Sequence, residues 1–374
     1  MAVREPLLTA VKRRKSAPRQ ASRPPTPDLA MPKPKPESDP APTRTRGHVP
    51  PPNAATPAGI TRRAVIAASA AAAAWAGQAR PTHAAAPPQR PDVPARLQAL
   101  EKGAARLGVC LLDTATGATT GHRFDEHFAL CSTFKLALVA TCLREADHGR
   151  LNLDEVLAYT PRELLPWAPV TGLHVHKGGL PIATLAQAAQ ELSDGTAANL
   201  LVRRLGGPAA VTARWREMGD DVTRLDRYEP DLGLVLSADR RDTTSPQAMA
   251  QLLRRIVTGD LLSAASRQRL LQWMQNTQTG PRRLRAGLPA SWRPGNKTGT
   301  GRAEGTTNKC NDIAIAFPPG RSPIVVTAYY DSGEYTPQVE ARHEAVLAEV
   351  GRIAAAWTLE GGGGPGLEGG PRRS

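Results

Sequence analysis

The stretch Cys131-Ser132-Thr133-Phe134-Lys135-Leu136-Ala137-Leu138-Val139-Ala140-Thr141-Cys142-Leu143 constrains this chain more than any other. Neither Pro nor Gly interrupts it, and after Lys135 it is apolar at nearly every position. A helix formed here has no polar face to offer to water, so the rest of the fold must enclose it on every side. The chain has 374 residues, enough for one large domain or two ordinary ones. Ser132 falls at the first turn, where free amide N–H groups and the positive end of the helix dipole point outward. Lys135 lies one turn further on the same face. A lysine amine in apolar surroundings can lose its proton and accept one from a hydroxyl. Ser-x-x-Lys by itself describes an ordinary capped helix with a snorkelling lysine equally well, so the remaining sequence has to decide.

Net charge first suggests, then excludes, a polyanion partner. Lys and Arg total 48 against 34 Asp and Glu, a formal +14. Residues 1–84 hold 14 of the basic residues and four of the acidic ones, which leaves 34 against 30 in the remainder. A globular part near +4 gives no electrostatic case for nucleic acid. Residues 1–60 are rich in Pro, Ser, Thr and Arg without apolar periodicity and read as a disordered basic leader. Thr61-Arg62-Arg63-Ala64-Val65-Ile66 and the alanine-rich run to Gly77 resemble a twin-arginine export signal, with a cleavage site near Ala84 and Met31 as an alternative start. The expected product is periplasmic or secreted. The apolar run is too short and alanine-rich for a membrane span, so no stable membrane association is expected. Residues 361–374 read as a Gly-rich tail.

Four cysteines, Cys110, Cys131, Cys142 and Cys310, show no Cys-x-x-Cys spacing. They give no zinc or dithiol signature; export permits disulfides without specifying any. His174-Val175-His176 supplies too few ligands for a metal site. No cofactor and no metal are expected.

Between the leader and the tail the pattern is α/β, of the α+β kind. Residues 93–106 predict a helix, Gly108–Asp113 a buried strand, and His122-Arg123-Phe124 a second strand. Strand-like runs return at Asp312–Phe317 and Ile324–Tyr330, and a last amphipathic helix is predicted over 338–357. The stretch between is mostly helix and loop. Two lobes follow: a sheet lobe from both chain ends (92–131 and 281–360) and a helical lobe (132–280), with a small-molecule site in the cleft between them.

Three further motifs stand in order after Ser132-Thr133-Phe134-Lys135. They are Ser193-Asp194-Gly195 with Thr196-Ala197-Ala198-Asn199-Leu200-Leu201, then Arg227-Tyr228-Glu229-Pro230-Asp231-Leu232-Gly233 with Asp242 downstream, then Lys297-Thr298-Gly299-Thr300-Gly301. Singly they read as a capped helix start, a solvated loop with a surface ion pair, and a hairpin strand. Together they resemble the class A β-lactamases over about residues 95–358. The resemblance implies the two-lobe fold shared by serine β-lactamases and penicillin-binding proteins, an antiparallel sheet flanked by helices plus an all-helical lobe. It implies hydrolysis of β-lactam antibiotics through a serine acyl-enzyme, hence β-lactam resistance.

Roles follow from the resemblance. Ser132 attacks the lactam carbonyl, and the backbone N–H groups of Ser132 and Thr300 hold the oxyanion. The Ser132 proton leaves to Lys135, or through water to Glu229. Ser193 passes a proton to the departing nitrogen. Lys297, Thr298, Gly299 and Thr300 line the substrate carboxylate site. Glu229 activates the deacylating water, Arg227 and Asp242 form the ion pair that closes its loop, and Trp167 flanks the cleft mouth. The ligand is a small β-lactam, and a monomer is expected.

The sequence departs from the family pattern in places. Gly195 and Gly233 stand where Asn is usual, which removes polar contacts to the substrate amide and the deacylating water. Thr306 occupies a position that is often Arg; Arg283 is the alternative cation, with Arg282 and Arg285 in the same run. Cys131 precedes the nucleophile as in carbapenem-hydrolysing members, but its usual partner position is Gly301. A D,D-peptidase would keep Ser132, Lys135, Ser193 and Lys297 without needing the Glu229 loop, and a non-hydrolytic sensor would acylate and stop.

Overall fold

The computed structural model describes residues 92–236 and 239–361. The leader with its arginine pair, and the Gly-rich tail after Gly361, lie outside the described residues. Along the chain run α1 (Val93–Gln98), β1 (Arg106–Asp113), β2 (Thr119–His122), β3 (Phe128–Ala129), α2 (Phe134–Asp147), β4 (Val156–Ala158), α3 (Thr171–His174), β5 (Gly179–Pro181), α4 (Ile182–Glu191), α5 (Gly195–Arg204) and α6 (Pro208–Glu217). Then follow β6 (Thr243–Thr244), α7 (Pro246–Thr258), α8 (Ala264–Gln275), α9 (Leu284–Gly287), β7 (Gly295–Gly301), β8 (Lys309–Ala316), β9 (Ile324–Asp331) and α10 (Ala341–Leu359).

Five strands form one antiparallel sheet in the order β2-β1-β9-β8-β7, with β7 on an edge. The sheet is buried on both faces, and its side chains divide with the period of two that a strand imposes. Cys110, Leu112, Ile313, Ile315, Val325 and Tyr329 face the larger core with α2, α4, α5 and α7. Leu107, Val109, Leu111, Ala314, Val326 and Ala328 face a second core with α1, α9 and α10. Between Arg106 and Asp113 at its ends, β1 carries no polar side chain, because both of its faces are covered.

Helix α2 occupies the position its sequence demands. Leu136 to Ala140, Cys142 and Leu143 are all at 0% exposure. Against it lie α4, α5, α6 and α8, with α7 bridging to β1 and β9. Two short ladders, β3 with β6 and β4 with β5, staple the connecting loops.

Several predicted boundaries move, each for a local reason. The helix expected over 93–106 ends at Gln98. A turn through Gly103, at φ +62°, follows, and the Leu107 N–H donates to the Glu101 carboxylate at 2.7 Å. The second strand stops at His122 because Arg123 takes a left-handed φ of 44°. The last helix begins at Ala341 and runs to Leu359, three residues later than predicted at its start. Its Gly351 lies against α9 so closely that an added Cβ would stand 2.5 Å from the Leu284 carbonyl oxygen; only glycine allows this backbone approach.

Candidate active site

The nucleophile candidate sits where the sheet lobe hands over to α2. Cys131 adopts a left-handed φ of 44°, and Cys131–Thr133 form one 3-10 turn before α2 begins at Phe134. A non-glycine residue in that region stores strain, tolerated here because the surroundings fix the turn. Thr133 Oγ1 donates to Leu130 O at 2.6 Å, and Asn311 Nδ2 donates to Ala129 O at 2.8 Å. The turn presses on β7: a Cβ at Gly299 would lie 3.0 Å from both Leu130 O and Thr133 Cγ2.

Ser193 links α4 to α5, also at a left-handed φ of 59°. Its neighbour Asp194, fully buried, caps α5 by accepting from Ala197 N at 2.9 Å. The same carboxylate accepts from Val170 N at 3.0 Å and Thr171 N at 2.9 Å. These bonds lock the Ser193 turn onto the loop carrying Trp167. Glu229 is held through its backbone. Asn199 Nδ2 donates to Glu229 O at 2.8 Å, and Glu229 N donates to Asn199 Oδ1 at 2.9 Å. The Glu229–Pro230 peptide is cis.

The motif side chains converge. Lys135 Nζ donates to Ser132 Oγ at 2.9 Å and to Ser193 O at 2.9 Å, and lies 3.0 Å from Glu229 Oε1 and 3.4 Å from Ser193 Oγ. Ser132 Oγ is 3.1 Å from the same Glu229 oxygen. Lys297 Nζ reaches Ser193 Oγ at 3.0 Å and Thr298 O at 2.9 Å. Burial, and then the nearby Lys135 charge, hold the Lys297 ammonium well below the ordinary lysine range. The open space beside these groups is a cleft of about 650 Å³, lined by Ser132, Ser193, Glu229, Thr300, Trp167 and Leu234 among others.

The remaining sequence candidates take definite places. Trp167 is 61% exposed at the cleft rim, its Nε1–H donating to Leu192 O at 2.9 Å. Arg227 Nε donates to Asp242 Oδ2 at 2.5 Å, closing the loop between them. Of the three arginines, Arg283 lies behind β7: it donates to Thr300 Oγ1 at 2.8 Å, Gly299 O at 2.9 Å and Asn311 O at 3.0 Å. Arg282 is exposed and shares the Glu344 carboxylate with Arg283, at 2.7 and 3.4 Å, and Arg285 donates to Thr279 O at 3.4 Å. Thr306 bonds within its own turn, to Ala303 O at 2.8 Å. A Cβ on Gly195 would meet Leu165 Cδ1 at 3.0 Å, whereas one on Gly233 would meet nothing within 4 Å. All four cysteines are free and buried. Among the described residues no group of three or more metal-ligating side chains occurs, and His174 and His176 stand as a pair with ring centroids 6.2 Å apart.

Sequence reasoning missed two groups. Asn199 lay inside a quoted motif without a role; a lone amide on an otherwise apolar helix face was the available signal. Thr279 Oγ1 lies 2.7 Å from Thr298 Oγ1 at the cleft, and nothing in its local sequence marks it.

Comparison with known proteins agrees with this geometry. The model of the beta-lactamase enzyme family matches residues 93–358. A β-lactamase of Streptomyces fradiae is 44% identical over 306 residues, covering 80% of this chain and 97% of that one. β-Lactamase L2 of Stenotrophomonas maltophilia is 46% identical over 258 residues, covering 68% and 82%. The solved structure of the class A β-lactamase of the last common ancestor of Gram-negative bacteria is 50% identical with a TM-score of 0.66, covering 71% of this chain and 99% of that one. Sequence motifs, sheet topology and the meeting of Ser132, Lys135 and Glu229 in one cleft therefore have a single account: the chain belongs to the class A β-lactamases.

Proposed function

We propose that Ser132 opens the β-lactam ring and that Glu229 directs water to release the product. One observation carries this reading: Ser132 Oγ lies within hydrogen-bond reach of both Lys135 Nζ, at 2.9 Å, and Glu229 Oε1, at 3.1 Å. Both partners can take the hydroxyl proton as Oγ bonds to the lactam carbonyl carbon. The carbonyl π electrons move to oxygen, where the N–H groups of Ser132 and Thr300 would hold the charge. Collapse breaks the C–N bond. Ser193, bridging the two lysines, gives its proton to the departing nitrogen and recovers one from Lys135 or Lys297. Lys297, Thr298 and Thr300 would bind the substrate carboxylate, with Gly299 giving the backbone room to approach. Arg283, bonded to Thr300 Oγ1 and itself paired with Glu344 at 3.4 Å, would orient that hydroxyl from behind. Water, giving a proton to the ionised Glu229, then attacks the ester carbon; collapse breaks the C–Oγ bond, and Ser132 Oγ regains a proton from Glu229 or Lys135.

The Glu229 loop favours hydrolysis over the D,D-peptidase and sensor alternatives, because it puts a carboxylate beside the ester. The purified enzyme should turn over a chromogenic cephalosporin many times. Glu229→Ala should leave a trapped adduct on Ser132 by mass spectrometry. One equivalent of product from the wild type would establish the sensor instead, and no adduct in the variant would remove Ser132 as nucleophile.

We also propose twin-arginine export and a monomeric enzyme. Among the described residues no helix is long and apolar enough to cross a membrane. Replacing Arg62 and Arg63 by Lys should retain activity inside the cell, and gel filtration should give one chain per particle.

A further inference from the structure

Behind Lys297 lies a buried polar contact that the mechanism above does not use. Gln190 is the penultimate residue of α4, at 0% exposure, in the run Ala188-Ala189-Gln190. Its Nε2 donates to Asn296 O at 3.0 Å and to Thr277 Oγ1 at 3.2 Å. Thr277, just past the end of α8, donates its own hydroxyl to the same carbonyl at 2.7 Å. The Gln190 Oε1 is buried with no hydrogen-bond partner among the described residues. A buried glutamine in an alanine-rich setting, with half of its amide unsatisfied, costs stability that an apolar residue would not. Something other than core packing accounts for it.

The geometry supplies a reason. β7 is an edge strand, so alternate residues turn their peptide groups away from β8. Asn296 O and Thr298 O both accept side-chain donors instead: Gln190 and Thr277, from outside the sheet, on the first, and Lys297 Nζ of β7 itself on the second. Gln190 stands three residues before Ser193, and Asn296 one residue before Lys297. The bond from Gln190 to Asn296 O and the bond from Lys297 Nζ to Ser193 Oγ, 3.0 Å, therefore close a ring between α4 and β7. Glu191 O, accepting from Gln278 N at 2.9 Å, ties the same end of α4 to the chain after α8.

We propose that Gln190 is a positioning residue, which with Thr277 clamps the Asn296 carbonyl and so sets the reach of Lys297 to Ser193. It touches no substrate; it acts through Lys297. The inference rests on the assignment of Ser193 and Lys297 to ring opening, so its loss should be confined to acylation. Glu229, held separately by Asn199, should deacylate as before.

The test is single-turnover kinetics on full-length enzyme with a chromogenic cephalosporin, resolving acylation from deacylation. Gln190→Met fills the same space and cannot donate. Acylation should slow about tenfold, the scale of one hydrogen bond to a buried carbonyl, with deacylation unchanged and the melting temperature no lower than that of the wild type. Thr277→Val, which removes the other donor, should show the same signature, and the double variant a larger loss than either. Thr277→Ser should restore the wild-type rate. Equal slowing of both steps, in proportion to a falling melting temperature, would reduce Gln190 to a structural residue. Unchanged acylation in Gln190→Met and in Thr277→Val would overturn the clamp. Lys297→Ala is the control: if it leaves acylation intact, the assignment of Lys297 fails whatever Gln190 does.

Discussion

Asp242→Asn should unlatch the loop that carries Glu229. Asp242 is fully buried at a left-handed φ of 54° and gathers the loop's two ends. Its Oδ1 accepts from Asp226 N at 2.7 Å and Arg227 N at 3.0 Å, and its Oδ2 accepts from Arg227 Nε at 2.5 Å. Asp226 returns the bond, accepting from Asp242 N at 2.9 Å. Asparagine keeps one oxygen for the two backbone donors but turns an NH₂ toward the guanidinium. The charge-assisted bond is lost, and Arg227, whose side chain is 20% exposed, keeps Leu234 O at 3.3 Å and the Asp239 carboxylate at 3.8 Å. A hydrogen bond to a charged group is worth about 1.5–3 kcal/mol, and the contacts that Arg227 keeps hold the loss within that range. The expected loss is about 2–3 kcal/mol, or a melting temperature lower by about 4–10 °C for a domain of this size. Thermal denaturation read by circular dichroism measures it. The same loop positions Glu229, so stopped-flow turnover should show a burst followed by slowed release. Wild-type melting together with wild-type release would refute the latch.

Three other perturbations have worked outcomes. A Cβ at Gly301 would lie 3.0 Å from Cys131 Sγ, close to the roughly 3 Å that separates those atoms across a disulfide, so Gly301→Cys should oxidise. Thiol titration of the unfolded variant should then find fewer free thiols than its five cysteines, and the long closed loop should add about 2–4 kcal/mol. Burial pushes the Asp312 carboxyl up to about 7, against an unfolded value near 3.8, so the folded state keeps a proton that the unfolded chain has released. Stability from this group is full below about pH 4 and declines as pH rises through about 7; Asp312→Asn should flatten that slope in urea titrations run from pH 4 to 8. Gly195→Asn would push on Leu165, so it should cost about 1 kcal/mol in thermal denaturation. It should also raise kcat/KM for substrates with an acylamino side chain, and Leu165→Ala in the same chain should recover the stability.

The large pieces of this fold were legible because they obey local rules. The apolar run after Lys135 declared a helix with no solvent face, and α2 is enclosed as that requires. β1 and β9 announced themselves by apolar runs, the mark of strands covered on both sides, whereas β8 was legible only in its apolar second half: it begins at Lys309, and the polar Lys309, Asn311 and Asp312 hid its start. The candidate reacting groups stood out because the proposed acyl transfer needs a hydroxyl, a base and a positioned water-activating carboxylate, and few residue types supply them. What stayed hidden depends on contacts between distant parts of the chain. Nothing in Thr279-Gly280-Pro281-Arg282-Arg283-Leu284-Arg285 tells which guanidinium turns inward; the choice is made by Thr300, Gly299 and Asn311 across β7. Gln190 reads as a surface position of an alanine-rich helix, and only the edge carbonyl of Asn296 explains its burial.

Three glycines bear on different steps of the proposed mechanism: Gly195 and Gly233, where Asn is usual, and Gly301, where carbapenem-hydrolysing members place the partner of Cys131. Gly301 deprives Cys131 of a disulfide partner, yet the Ser132 turn is held without one, by Thr133 on Leu130 O and Asn311 on Ala129 O. Gly195 removes an amide that would face Lys135, but the lysine keeps Ser132 Oγ, Ser193 O and Glu229 Oε1 within 3.0 Å. The acylating set is therefore satisfied by its own members, and Gly195 bears on substrate grip. Gly233 is different. A Cβ there meets nothing within 4 Å, so the space beside Glu229 has no side chain of residue 233 to steady a water. Glu229 itself is fixed by Asn199, which leaves placement of the attacking water as the step with the least support. Substrates should then differ more in release from Ser132 than in attack by it, and those whose own polar groups help hold that water should be the fastest.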